Sequence, residues 1–178
     1  MKVTSGLLSF EHAGVNDNCI TLLLHAVKRA QRKMPAGSFE GLSFSHNAYF
    51  KDKAMLALIG FLDAQKGRNA VRNLHVERVN CSSTAMFKFC RSLEDFGSLK
   101  FVSLSGNHMP YFCIDGILSQ EHLPEYLDLS ETNMDDLSAL HLVQGLISRE
   151  KCEVKELSLA RNPLLGYQFY NKVSDMLR

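Results

Sequence analysis

The chain has 178 residues, with 20 Lys and Arg against 19 Asp and Glu and a formal net charge of +1. That balance argues against a polybasic nucleic-acid binder or an acidic tail, and a hydrophobic content of 46% argues against a disordered chain. No apolar run approaches the roughly 20 residues of a membrane-spanning helix, and five cysteines, an odd number without a C-x-x-C pair, fit neither a disulfide framework nor a structural zinc module.

Met1 to Gly6 lack the apolar core and small-residue cleavage site of a secretory signal and lead directly into a strand. Leu8 and Phe10 alternate as a short strand, Val15 follows the turn, and Cys19, Ile20, Leu23, Leu24, Val27 and Ala30 fall on one helical face. The end of that helix carries Lys28, Arg29, Arg32 and Lys33, cations that suit the negative end of its dipole. The same unit then recurs. Phe39, Leu42, Phe44 and Tyr49 precede a helix marked by Met55, Leu58, Ile59 and Leu62. Val71, Leu74, Val76 and Cys81 precede Met86, Phe87, Phe89, Cys90, Leu93 and Phe96. Leu99, Val102, Leu104 and Met109 lead into a brief helix within 110–122, marked by Phe112, Ile117 and Leu118. Leu127, Leu129 and Met134 precede Leu137, Leu140, Val143, Leu146 and Ile147. Finally, Val154, Leu157, Leu159 and Leu164 precede Phe169, Val173, Met176 and Leu177.

All six strand copies fit the frame apolar-x-x-L-x-L-x-x-N-x-L, clearest at Val154 to Leu164. The asparagine position falls at Ala13, Asn47, Val79, Asn107, Thr132 and Asn162. An asparagine amide there satisfies backbone groups that the turn would otherwise bury unpaired. Thr132 keeps a hydroxyl, whereas Ala13 and Val79 have no polar side-chain atom; Asn80 and Asn133, one residue later, are the expected substitutes in a bulged turn.

This frame is the leucine-rich-repeat signature. With a helix in nearly every unit, the chain resembles the long-repeat, ribonuclease-inhibitor-like branch of that family. The resemblance covers nearly the whole chain. It implies an α/β solenoid, a horseshoe arc of about six repeats with a parallel sheet on the concave side and helices on the convex side. One domain over residues 1–178 is expected. Neither end shows a capping element, so the array is either complete or a piece of a longer one. The free, unclustered cysteines point to a cytoplasmic setting. Charge is uneven: residues 1–89 hold 12 Lys and Arg against 6 Asp and Glu, and residues 90–178 hold 8 against 13. In a solenoid, sequence halves are spatial halves, so the molecule is expected to be electrically polar.

Strand residues between the inward leucines line the concave face. One column reads Ser9, Ser43, His75, Ser103, Asp128 and Ser158; the next reads Leu7, Gly41, Asn73, Phe101, Tyr126 and Glu156. The serines form a shallow, accessible floor, and Phe101 and Tyr126 stand on adjacent strands. Neighbouring aromatics with nearby acids make interface anchors. The expected partner-binding residues are therefore Phe101, Tyr126, Asp128 and Glu131, with Ser103 and His75 beside them. A cross-strand aromatic pair that only supports the sheet is the structural alternative.

Nothing in the chain points to a cofactor or a small-molecule substrate. His12 and His46 occupy equivalent positions with Glu11 near, so a two-histidine metal site is conceivable, but no third and fourth ligands are evident, and solvent-facing turn histidines are the structural alternative. His75 beside Ser103 lacks an orienting acid and an oxyanion hole. The expectation is a non-catalytic scaffold for a protein or peptide partner, with no membrane span and no nucleic acid. Such an arc serves intracellular receptors, ubiquitin-ligase adaptors, cytoskeletal or signalling regulators and pathogen effectors. The copy Tyr126 to Asn133 is similar to repeats in leucine-rich regulators of actin capping. Some ribonuclease-inhibitor-like proteins activate GTPases, and Arg78 and Arg161 at strand ends are the arginines that would reach a phosphate. A structural spacer is the remaining alternative.

Overall fold

The computed structural model describes residues 2–4, 6–33, 40–64, 71–93 and 99–176. Met1, Ser5, Phe39, Phe96 and Leu177 of the sequence reading lie outside these residues. Strands and helices alternate along the chain as β1 (Lys2–Thr4), β2 (Leu7–Ser9), α1 (Ile20–Gln31), β3 (Gly41–Ser43), α2 (Asp52–Asp63), β4 (Asn73–His75) and α3 (Ser83–Arg91). They continue as β5 (Phe101–Ser103), α4 (Tyr111–Leu118), β6 (Tyr126–Asp128), α5 (Asp136–Ile147), β7 (Glu156–Ser158) and α6 (Tyr167–Met176). The strands form one sheet in sequence order, with β2 to β7 all parallel. β1 pairs antiparallel with β2, an addition that the repeat frame does not foreshadow.

The register follows the frame. Leu8, Leu42, Leu74, Val102, Leu127 and Leu157 lie side by side, and so do Ser9, Ser43, His75, Ser103, Asp128 and Ser158. Successive helices pack on one another in chain order. A single continuous core runs between sheet and helices, with Leu42, Phe44, Leu74, Val76, Val102, Leu104, Leu127 and Leu129 at its centre. Each strand–helix unit thus buries its apolar side against the next, as repeat architectures require. No helix among the described residues is long and apolar enough to cross a membrane.

Units are also joined by helix caps. Ser82 accepts from Ala85 N at the start of α3 and is itself held by Asp52, whose oxygens accept from Ser82 N at 2.6 Å and Ser82 Oγ at 2.7 Å. Those two bonds hold the Asp52 carboxyl below its ordinary range. Asp17 of the first unit accepts from Ala54 N at 2.9 Å in the first turn of α2.

Three details differ from the sequence reading. Tyr49 is 67% exposed, and Phe50 takes the core position instead; Leu164 is likewise exposed, with Leu165 packed against the core. In both units the turn after the asparagine closes one residue later, with Phe50 N donating to Asn47 O and Leu165 N to Asn162 O. In α5 the Asp135 cap fixes the first turn so that Ser138, Ala139 and Leu142 face inward, while Leu137 and Ile147 are exposed. In α4, Cys113, Ile114 and Ile117 are buried and Phe112 is exposed.

The asparagine positions work in pairs. Asn107 is 4% exposed; its Nδ2 donates to Leu104 O in its own turn at 2.8 Å and to Val76 O in the preceding turn at 2.7 Å. Its Oδ1 accepts from Val79 N at 3.0 Å. Asn47 does the same for Phe44 O, Phe10 O and Val15 N, and Asn162 for Leu159 O, Leu129 O and the amides of Thr132 and Met134. Each carboxamide therefore closes two turns, which is why Ala13 and Val79 need no polar side chain. The expected substitution by Asn80 and Asn133 does not occur: both are exposed, because the neighbouring unit already supplies the amide.

Replacing Asn107 by Ala leaves Val76 O, Leu104 O and Val79 N without that partner. At about 1–3 kcal/mol for each buried group left unpaired, the variant should lose at least about 3 kcal/mol in urea unfolding. Asn80→Ala should stay within about 0.5 kcal/mol of the parent.

Candidate functional site

The helix-free face of the sheet carries a row of rings. His75, Phe101 and Tyr126 come from β4, β5 and β6. The His75 and Phe101 centroids lie 4.8 Å apart at an interplanar angle of 32°, and Phe101 and Tyr126 lie 6.5 Å apart at 30°. Strand spacing of about 4.8 Å sets these distances. Phe101 and His75 are half-buried, whereas Tyr126 is 38% exposed. Polar groups brace the row from beside and below. His75 Nδ1 donates to Glu77 Oε1 at 3.3 Å, and this bond first of all holds the Glu77 carboxyl below its ordinary range. Asp128 accepts from Ser103 Oγ at 3.1 Å, from Ser130 N at 3.0 Å and from Ser130 Oγ at 2.6 Å, and Ser130 Oγ lies 2.7 Å from Ser158 Oγ.

The serine floor is not uniformly open. Ser43, Ser45 and Ser103 are buried, the last at 1% exposure, while Ser9 and Ser158 are half-buried. Ser103 therefore sits beneath the surface and orients Asp128. Glu156, opposite Tyr126 in the register, is exposed and flanks the ring. The sequence already places it in the same column as Phe101 and Tyr126, a signal that the site reading passes over.

Glu131 belongs to a different feature. It lies in a column one residue before the asparagine positions, formed by His12, His46, Arg78, Gly106, Glu131 and Arg161. All six have positive φ, between 48° and 70°. Their amides extend the sheet ladder before the chain reverses: His46 N donates to Glu77 O, Arg78 N to Ser105 O, Gly106 N to Ser130 O and Glu131 N to Ala160 O. Along this column Arg78 passes over Gly106 to reach Glu131, two units away, and Arg161 Nη1 donates to the other Glu131 oxygen at 2.9 Å. Both strand-end arginines are thus engaged by one carboxylate. At the other end of the column, the rings of His12 and His46 stack at 4.7 Å and 17°.

Near the strand starts lies a cavity of about 610 Å³ lined by Arg72, Lys100, His122, Glu125, Glu153 and Lys155. Its charges are tied to one another, with Lys100 and Lys155 at 3.2 and 2.5 Å from Glu125 and His122 at 3.4 Å from Glu153.

All five cysteines are free. Burial pushes the Cys81 thiol up to about 12, helped by the nearby Asp52 carboxylate, and Cys90 is fully enclosed. Cys152 is exposed. No family model matches the chain, and no curated protein matches its sequence.

The column makes a sharp demand on Gly106. A Cβ there would lie 2.3 Å from Arg78 Cγ, on a backbone with φ of 70°. Gly106→Ala should cost about 1–3 kcal/mol and break the Arg78–Glu131 pair. In an Arg78→Ala background the same change should cost measurably less. Equal costs in the two backgrounds, read from a double-mutant cycle, would show that Arg78 does not depend on the glycine.

Proposed function

We propose that the chain is a leucine-rich-repeat scaffold of the ribonuclease-inhibitor-like kind, an arc whose helix-free sheet face is concave and binds a protein or peptide without catalysis. The repeated strand frame, the parallel register and the two-turn asparagines support this family reading. One observation carries the binding reading: the row His75–Phe101–Tyr126 on three consecutive strands, with Tyr126 38% exposed beside the acidic Asp128 and Glu156. Rigid aromatic side chains anchor interfaces at small entropic cost, and flanking carboxylates favour a partner segment that presents Lys or Arg. Ser103 and the Ser130–Ser158 hydroxyls hold Asp128 in place for that contact, and Glu131 closes the neighbouring edge of the surface through its arginine pairs. The five free cysteines support a reducing, cytoplasmic setting.

The test is affinity capture from cell lysate with mass-spectrometric identification, comparing the parent chain with a Phe101→Ala/Tyr126→Ala/Asp128→Lys variant whose circular dichroism matches. The reading expects a partner retained by the parent and lost by the variant, with direct binding of the purified pair weakened at least about tenfold. Undiminished capture by the variant would remove the aromatic row as the binding site, and capture by neither would favour the spacer reading.

A further inference from the structure

We propose that Glu11, His12 and His46 form a binding site for a late transition-metal ion, with zinc as the best-matched candidate. The proposal rests on the convergence of three ligating side chains at one end of the positive-φ column. One ligand atom from each of Glu11, His12 and His46 can be chosen so that all three lie within 4.8 Å of one another. The imidazoles stack at 4.7 Å and 17°, and Glu11 Oε1 stands 3.7 Å from His46 Nε2.

Two equivalent turns on adjacent strands present the histidines. His12 has φ of 52° and His46 of 58°. Their amides are held by the ladder, with His12 N donating to Ser45 O at 3.4 Å and His46 N to Glu77 O at 2.8 Å. The backbone below the ligands is therefore fixed. Glu11 and His12 are exposed and His46 is half-buried, so the approach is open to solvent. Zinc binds imidazole nitrogen and carboxylate oxygen at about 2.0–2.2 Å. Donors around such an ion are about 3.0–3.5 Å apart, given those bond lengths, so rotamer changes that shorten the widest separation by up to about 1.8 Å bring all three donors onto the ion. Two histidines and a glutamate satisfy three positions of a tetrahedral ion and leave the fourth to water.

The surroundings favour a cation. Arg78, next along the column, is drawn away from the histidines toward Glu131. Two residues past β4, Glu77, whose backbone oxygen accepts from His46 N, carries a further carboxylate on the neighbouring unit.

Zinc titration by calorimetry tests the site, in a Cys152→Ser background that removes the exposed thiol as a competing ligand. Asparagine is the replacement for each histidine because it tolerates the left-handed backbone. The parent should take up one Zn²⁺ per chain. His12→Asn, His46→Asn and Glu11→Gln should each weaken uptake at least about tenfold, a loss at least as large as removing an outer-sphere partner. In NMR spectra, the His12 and His46 imidazole signals should shift together over the same titration. Absence of saturable uptake, or uptake unchanged in the His12→Asn/His46→Asn double variant, would overturn the proposal. Circular dichroism of each variant establishes that its fold is intact.

Discussion

The carboxamides of Asn47, Asn107 and Asn162 each close two chain reversals at once. Every parallel strand in this sheet ends in a turn packed against its neighbours, and such a turn buries peptide groups that water cannot reach. One asparagine per turn is the direct solution. Here one asparagine serves two turns, because Nδ2 has two hydrogens to give and Oδ1 can accept from the preceding unit. The array is consequently joined in pairs: the first unit with the second, the third with the fourth, the fifth with the sixth. Apolar burial joins all the units, but it would tolerate sliding; the amide contacts fix how far each turn is displaced from the next.

That fixed displacement gives the surface its order. Residues one position before the asparagine frame all adopt positive φ, and their side chains form a line along the sheet end. A left-handed backbone at non-glycine residues costs on the order of 1 kcal/mol each. Hydrogen bonds from the same amides to the next strand help to offset this. The single glycine in the line, Gly106, is where Arg78 crosses to Glu131. Register works the same way on the sheet face, where Phe101 and Tyr126 face each other because Val102 and Leu127 are buried side by side.

Much of this is legible in the chain. Alternation around Leu8, Leu42, Leu74, Val102, Leu127 and Leu157 assigns each strand residue to one face, and the structure has the corresponding columns in register. The failures have local causes. At Tyr49–Phe50 and Leu164–Leu165 two apolar residues are adjacent, so the pattern alone does not show which one turns inward. In α5 an apolar periodicity can be drawn through Leu137, but Asp135 as cap sets the phase. The sharing of Asn107 between two turns is a tertiary contact across 31 residues, to Val76, with no local trace. The passage of Arg78 over Gly106 is of the same kind. Ser103 was readable as a face residue but not as a buried one, because its cover comes from neighbouring strands.

Native-state hydrogen exchange followed by NMR tests the shared-amide account most directly. The amides of Val15, Val79 and Thr132 donate to an asparagine oxygen from the next unit. The account predicts that they exchange only through large-scale unfolding, with protection close to that of Leu42 or Val102 in the strands. The Glu11 amide, exposed and donating to Ser9 Oγ at 3.3 Å, should exchange through local opening. If Val15, Val79 and Thr132 exchange as fast as Glu11, the asparagines do not hold the units in pairs.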